Sequence, residues 1–418
     1  METEKNFLSL LEKLDRECGE RIALRYSPDE PDAFITYHGL YEKVIEKMHE
    51  LKGVKTVEVR DGLRLSWIIT CLASACGGHM TVLCAPGQPA IFSDETYDKN
   101  YLPGKLLFFT SGTTSRNKAV VLSQEALLSS AANGQAMLAC HSDDRLLSCL
   151  PLFHVFGFIC SFLWPLTNGA EIDLGIGYHG FLTDTKAYRP TVLSVVPTLL
   201  ELMLRADVLN DELRMILVGA GPCSQELIDE VLKKGIHLRF GYGLTETASG
   251  VAISTDDNDP FTLHPCPDTK AKLSESGELL IRTTCLMDGY YLDSEQTSRK
   301  LTDGFLHTGD LAEIDQNGCI HIKGRTDDVL VLPNGEKIFC PEIESEISSL
   351  IGAKCVLLMR GSIPTLVVHA PFERDFEIKA KIDEYNQSKP LGRKVPAVEL
   401  RSEDFPRTVT GKIQRYKL

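Results

Sequence analysis

Apolar residues open the chain at helical spacing: Phe7, Leu10, Leu11 and Leu14 share one face, with charges on the other. Behind them extended and helical runs alternate. RIALRY (21–26) reads as a strand, 41–51 as a helix, TVEVR (56–60) as a strand, 63–76 as a helix and MTVLC (80–84) as a strand. A helix is predicted after Ser123, strands at RLLSCLP (145–151) and TVLSVVP (191–197), and a helix from Thr198. LRMILVGAG (213–221), SQELIDEVLKK (224–234) and IHLRFGYG (236–243) then read as strand, helix and strand. This alternation predicts a layered α/β architecture with largely parallel sheets.

The texture changes near residue 270. GELLIRTT (277–284), GCIHIKGR (318–325) and DVLVLPNGEKIFC (328–340) are short β-type runs separated by Asn-Gly and Asp-Gly turns, which is hairpin chemistry. An α+β pattern follows: helix 341–350, strands CVLLMR (355–360) and TLVVHA (365–370), helix 376–387 and strand AVELR (397–401). The glycine-flanked GRTD marks a boundary at Asp327, dividing the chain into a large domain, 1–326, and a small one, 327–418. The second piece is long enough for its own core.

Composition narrows the class. A chain of 418 residues exceeds one ordinary domain, and 43% hydrophobic with 24% charged residues is globular composition. A net charge of −14 disfavours a nucleic-acid partner, whose backbone calls for clustered cations. Thirteen cysteines without a CxxC pair or zinc-type spacing read as small buried hydrophobes in a reducing compartment. The first residues carry charges throughout and no apolar signal core, and Pro151 to Leu166 is too short for a membrane span. A cytoplasmic protein without a membrane span is expected.

The strongest local signal is FFTSGTTSRNKAVVLS (108–123). A hydroxyl-rich, glycine-containing loop ending in lysine can wrap phosphate oxygens with N–H groups, hydroxyls and an ammonium. It is not a Walker loop: Asn117 stands at the second glycine position, Ala119 follows Lys118, and β-type sequence follows where a helix would open. The alternative is a polar hairpin turn. GYGLTET (241–247) puts an aromatic ring, hydroxyls and a carboxylate at a strand end, where α/β sheets bind ligands. DGFLHTGD (303–310) presents Asp310, GRTDD (324–328) pairs a guanidinium with carboxylates, and FPRTVTGKIQR (405–415) places Lys412 after a glycine.

Taken together, these segments resemble the adenylate-forming superfamily of acyl- and aryl-CoA synthetases, peptide-synthetase adenylation domains and firefly-type luciferases. The family's TSGTTGxPKG matches Thr110 to Thr114 and Lys118, its YGxTE matches Tyr242 to Glu246, and its TGD matches Thr308 to Asp310. GRxDD matches Gly324 to Asp328, PRTxxGKIxR matches Pro406 to Arg415, and MDGYY (287–291) is similar to the family's linker. Five motifs stand in the family's order. The resemblance implies a small mobile C-terminal cap and a small β-barrel-like region in the large domain. It also implies ATP, Mg²⁺ and coenzyme A as reactants.

By the same resemblance Lys412, Thr245 and Glu246 are catalytic, Glu246 also holding Mg²⁺. Thr110, Ser111, Gly112, Thr113, Thr114, Lys118, Gly219, Ala220, Gly221, Pro222, Tyr242, Gly243, Asp310 and Arg325 bind ATP or AMP. Asp327 is the hinge. PLFHVFG (151–157) is similar to the CoA-synthetase version of its segment, so His154, Phe153 and Gly241 are assigned to the acyl pocket. Adenylation domains for amino acids usually carry aspartate where His154 stands, which points instead to an apolar acyl or aryl acid.

Ser115, Asn117 and Ala119 depart from the family's glycine, proline and glycine, and only about two dozen residues separate CAP (84–86) from Thr110, where the family has another βαβ-sized segment. A trimmed sheet is expected, covered by a homo-oligomer or a neighbouring protein. The expected reaction is activation of a carboxylic acid by ATP and transfer to CoA. A carrier protein's pantetheine thiol as acceptor, and a non-catalytic nucleotide sensor, remain as alternatives.

Overall fold

The computed structural model describes residues 4–418 apart from 31, 61–63, 88–91, 111–117, 222, 258, 333–336, 391–392 and 408–412. The alternating elements form two main sheets. The larger has nine strands in the spatial order His264–Pro265, Ser249–Ile253, His237–Leu244, Met215–Val218, Val192–Val195, Arg145–Ser148, Glu171–Leu174, Ile22–Arg25 and Phe34–Thr36. Its centre is parallel and both ends are antiparallel. Strands such as Val192–Val195 and Met215–Val218 are buried along their whole length, as parallel strands covered on both faces must be.

The smaller sheet runs Gly289–Tyr290, Ala119–Leu122, Leu106–Phe109, Met80–Leu83, Thr56–Val59. Helix Gln124–Met137, capped by the Ser123 hydroxyl on Ala126 N at 3.0 Å, and the helical segment Val155–Thr167 share one core with both sheets. Phe108, Val120 and Leu122 enter that core from the small sheet, and Leu146, Ile172 and Leu174 from the large one. The apolar run near Leu166 is thereby explained. It folds as helix, π-turn (Ile159–Leu163) and helix, with Phe158, Phe162 and Trp164 buried on all sides. Among the described residues no helix is long and apolar enough to cross a membrane.

Helix Tyr37–Glu50 begins four residues before the predicted start. Thr36 caps it by accepting from Gly39 N at 3.1 Å, and the buried Tyr37 hydroxyl donates to Ala170 O at 2.7 Å. Burial decided the boundary there, which periodicity alone could not locate.

The expectation of an uncovered sheet face is corrected. Between Met80–Leu83 and Leu106–Phe109 the only described element is the helix Asp94–Lys99. Its Tyr97, with Phe92, Tyr101, Leu102 and Tyr291, packs on Met80, Val82, Leu107, Phe109 and Val121. Phe92 meets Tyr97 and Tyr291 edge-on at ring separations of 5.8 and 5.2 Å. A short aromatic plug thus takes over the covering role that a longer segment would have.

A five-stranded antiparallel sheet follows, with Lys270–Leu273, Glu278–Arg282, Phe305–Ile314 and Leu301–Thr302 in line and Ile320–Arg325 on the central strand. Among the described residues no ladder joins its outer strands into a closed barrel. Beyond Asp328 a separate core forms from Ile338 of the hairpin strand Lys337–Phe339, Ile343 and Ile347 of helix Cys340–Ile351, Leu366 and Val368 of strand Ile363–His369, and Ile378 and Ile382 of helix Asp375–Ser388. The cysteines are all free and most are buried, and burial pushes thiols such as Cys149 up to about 12, so they act as small hydrophobes.

Candidate active site

The predicted residues converge on one cavity of about 470 Å³ at the carboxyl ends of the parallel strands, where strand-end loops leave room for a ligand. The strand Leu106–Phe109 delivers Thr110, whose N–H donates to Lys118 O at 3.0 Å and closes a hairpin with Ala119–Leu122. The phosphate-loop residues Ser111, Gly112, Thr113 and Thr114 lie outside the described residues, but the hairpin aims both ends, Thr110 and Lys118, into the cavity.

At the polar end two elements of the antiparallel sheet cross. Asp310 and Arg325 are register partners on adjacent strands, which brings Arg325 Nη1 to 2.8 Å from Asp310 Oδ1. The other carboxylate oxygen accepts from the Tyr242 hydroxyl at 2.6 Å. Burial, and then the neighbouring Asp310 charge, hold the Tyr242 phenol well above its ordinary value. Burial opposes the Arg325 charge, but Asp310 outweighs it and the guanidinium stays firmly protonated. Asp310 is itself buried, so its remaining lone pairs are an acceptor site shielded from bulk water.

A second network organises the middle. Thr245 and Glu246 sit on a 3₁₀ turn after His237–Leu244, and Glu246 Oε1 accepts from the Tyr290 hydroxyl at 2.7 Å. Lys118 Nζ lies 5.0 Å from the centre of the Tyr290 ring and 3.4 Å from Gln296 Oε1. Tyr290 therefore touches both the carboxylate and the cation. No group of three or more metal-ligating side chains occurs among the described residues. A single carboxylate facing a phosphate-sized cavity fits Mg²⁺, which takes one or two carboxylates and completes its shell with phosphate oxygens and water.

The other end is apolar: Val155, Phe156, Cys160, Leu217 and Ile253 line it with Gly241 and Gly250. Gly219, which the resemblance assigns to ATP or AMP, faces the apolar Phe156 ring. A β-carbon at that position would meet the Phe156 ring at 2.7 Å, closer than real contacts allow. His154 lines the same region with its Nε2 buried and unpartnered, and burial drives its imidazole down to about 4, so it is neutral near pH 7.

Most predicted residues that can be located meet in the cavity: Thr110, Lys118, Gly219, Ala220, Tyr242, Gly243, Thr245, Glu246, Arg325, His154, Gly241 and Asp327 line it, and Asp310 backs it. Gly221 faces Pro197 instead of the cavity. Phe153 does not line the cavity: its ring lies tilted against His154 at 4.6 Å and packs on the inter-sheet core, while Phe156 lines the cavity. The helix starts at Val155, so its first turn carries residue 156, not 153, to the cavity side. Pro222 and Lys412 lie outside the described residues. Arg407 pairs with Ile413, and Arg415 binds Asp328 at 2.9 Å and Glu344.

Two lining residues carried no sequence signal of their own. Tyr290 stands inside the MDGYY linker, and Lys300, at the end of helix Ser294–Lys300, reads as an ordinary C-terminal helix cation. Only the folded wall brings them near Glu246, which stands 44 positions before Tyr290 in the chain.

Residues 105–291 match the family model described as AMP-binding enzyme. The chain is 28% identical over 329 residues to a 2-succinylbenzoate–CoA ligase of Listeria monocytogenes, covering 75% of this chain and 69% of that one. A 2-succinylbenzoate–CoA ligase of Bacillus cereus is 26% identical over 462 residues, covering 100% of this chain and 94% of its own. Among solved structures, the Bacillus subtilis o-succinylbenzoate CoA synthetase in complex with its acyl-adenylate superposes with a TM-score of 0.79 at 21% identity, over 100% of this chain and 98% of that one. The fold, the motif order and these relatives agree: the chain belongs to the adenylate-forming superfamily of AMP-binding enzymes, in its acyl- and aryl-CoA synthetase branch.

Proposed function

We propose that the protein is an AMP-forming carboxylate–CoA ligase for an apolar aryl or acyl acid. The observation that carries this reading is one cavity lined by apolar Phe156, Leu217 and Ile253 and by polar Arg325, Glu246 and Lys118, with Asp310 behind Arg325 and Tyr242. A carboxylate is a poor acyl electrophile and must first gain a leaving group. In the first step a carboxylate oxygen attacks the α-phosphorus of ATP and pyrophosphate leaves. In the second a thiol sulfur attacks the acyl carbon and AMP leaves. Two anions must meet in line, so the protein's contribution is positioning and offsetting charge.

In this reading Asp310 accepts from the ribose hydroxyls, Arg325 donates nearby, and Lys118 and Thr110 face the phosphates. Glu246 would hold Mg²⁺, which neutralises phosphate charge when bound, and Tyr290 keeps that carboxylate turned inward. The apolar lobe, with His154 neutral, suits a ring or alkyl chain. The Listeria and Bacillus relatives are named for 2-succinylbenzoate, an aromatic acid, which favours aryl substrates over fatty acids.

Residues 327–418 serve as a cap that brings Lys412 to the carboxylate and α-phosphate, turning about Asp327. The exposed Asp327, on a 3₁₀ turn between two strands, and the cap's separate core support this. Asp327→Pro, which fixes φ near −65°, should spare one half-reaction more than the other; both at wild-type speed would remove Asp327 as the hinge. A cytoplasmic location follows from the reducing cysteine usage and the CoA chemistry. Steady-state thioester formation with CoA and with a holo carrier protein tests the acceptor. Carrier loading without CoA thioester across a broad acid panel would replace the ligase reading.

A further inference from the structure

The cavity contains a cation that no motif announces. Lys300 is half-buried, and its Nζ donates to the main-chain oxygen of His307 at 2.9 Å. Among the described residues no carboxylate lies within ion-pair distance of it, whereas Arg325 beside it is neutralised by Asp310 at 2.8 Å. The nearby carboxylates are committed elsewhere. Glu278 accepts from Gly309 N at 2.8 Å and faces His307 Nδ1 at 3.0 Å, and Glu246 accepts from Tyr290.

Geometry brings the two cations together. Gly309 sits at φ +76°, and a β-carbon built on it would meet Arg325 Nη2 at 3.0 Å and Lys300 Nζ at 3.5 Å. Both side chains therefore converge on the same point of the cavity wall. An ammonium that has lost hydration and gained one neutral acceptor is an uncompensated cost, increased by a guanidinium at its side. Burial accordingly lowers the Lys300 ammonium below the ordinary lysine value. An oxyanion at that point would receive donors from both groups and remove the cost.

We infer that Lys300 is a phosphate-binding residue of the adenylation reaction, donating together with Arg325 to the phosphoryl group that ATP brings and AMP retains. The inference rests on the nucleotide-site reading above. It gives the large domain a phosphate contact from a helix end, independent of Lys412 and therefore available in both half-reactions. It also supplies a cation to a site whose phosphate loop departs from its family at Ser115, Asn117 and Ala119.

The test is calorimetric titration of AMP and of adenosine into the wild-type enzyme, K300A, K300M and K300R. Loss of one charge-assisted bond should weaken AMP binding about 10- to 100-fold in K300A and K300M. Adenosine affinity should not change, and K300R should recover most of the AMP affinity. The methionine variant keeps the aliphatic stem, so an equal loss in it assigns the effect to charge. Parallel losses for AMP and adenosine would make Lys300 merely structural and overturn the inference. Wild-type AMP affinity in both neutral variants would overturn it alone, and a wild type that binds neither nucleotide would overturn the nucleotide site with it.

Discussion

The two ends of the cavity are built on opposite principles. At the polar end the charged groups are held in pairs: Asp310 holds Arg325 and Tyr242, and Tyr290 holds Glu246, while Lys300 has only a main-chain oxygen. At the acid end Val155, Phe156, Leu217 and Ile253 offer only shape, and the one polar ring, His154, is left without a partner on Nε2. The first end is specified by pairwise geometry and tolerates little change. The second is specified by volume, so it can be resized by a residue that never touches the nucleotide.

The largest effect should follow removal of the cap lysine. Lys412→Ala is expected to slow adenylation about 10³-fold while thioester formation from supplied acyl-adenylate survives. Equal loss of both half-reactions in single-turnover assays would deny the lysine its place at the nucleotide end. Next is Asp310→Ala, which leaves the half-buried Arg325 guanidinium without its carboxylate and removes the acceptor. It should raise KM for ATP about 100-fold with little change in KM for the acid. A matching rise for the acid would mean that the two ends are not separable.

His154 sharpens the contrast through pH. Its folded value is about 4 against 6.5 for the free side chain. Between those values the unfolded chain binds a proton that the folded one refuses, so stability falls as pH drops from 6.5 towards 4. The loss is about 2 kcal/mol at pH 4.5. His154→Leu should remove that slope in urea unfolding measured at pH 4.5 and 7, and an unchanged slope would mean that the imidazole is solvated. The smallest effect is expected from Gly219→Ala, whose methyl must displace the Phe156 ring into the acid lobe. About tenfold lower kcat/KM for bulky acids, with smaller acids and KM for ATP nearly unaffected, is the expected pattern.

The same contrast explains what the sequence revealed. Turns such as GYGLTET and HTGD carry residue types that a bland loop has no need of, so the polar residues that line the cavity were legible in the sequence. So were the alternating elements and the cap's pattern, because period and capping reside in local sequence. Leu217 and Ile253 look like any buried strand residues, and Phe153 and Phe156 are distinguished only by where a helix starts. Lys300 was hidden for another reason: its meaning comes from Gly309 and Arg325, which approach it only in three dimensions. The aromatic plug of Phe92, Tyr97 and Tyr291 joins residues nearly 200 positions apart, so the sequence could mark the short segment but not what fills its place.

The central claim is that the two ends act on one bond, joining an acid to the α-phosphate of ATP. Acid-dependent exchange of labelled pyrophosphate into ATP, measured on the wild-type enzyme across a panel of aryl, alkyl and amino acids, tests it most directly. Exchange is expected with apolar aryl or acyl acids and none with amino acids. Nucleotide binding without exchange for any acid would contradict it and leave a nucleotide sensor in its place.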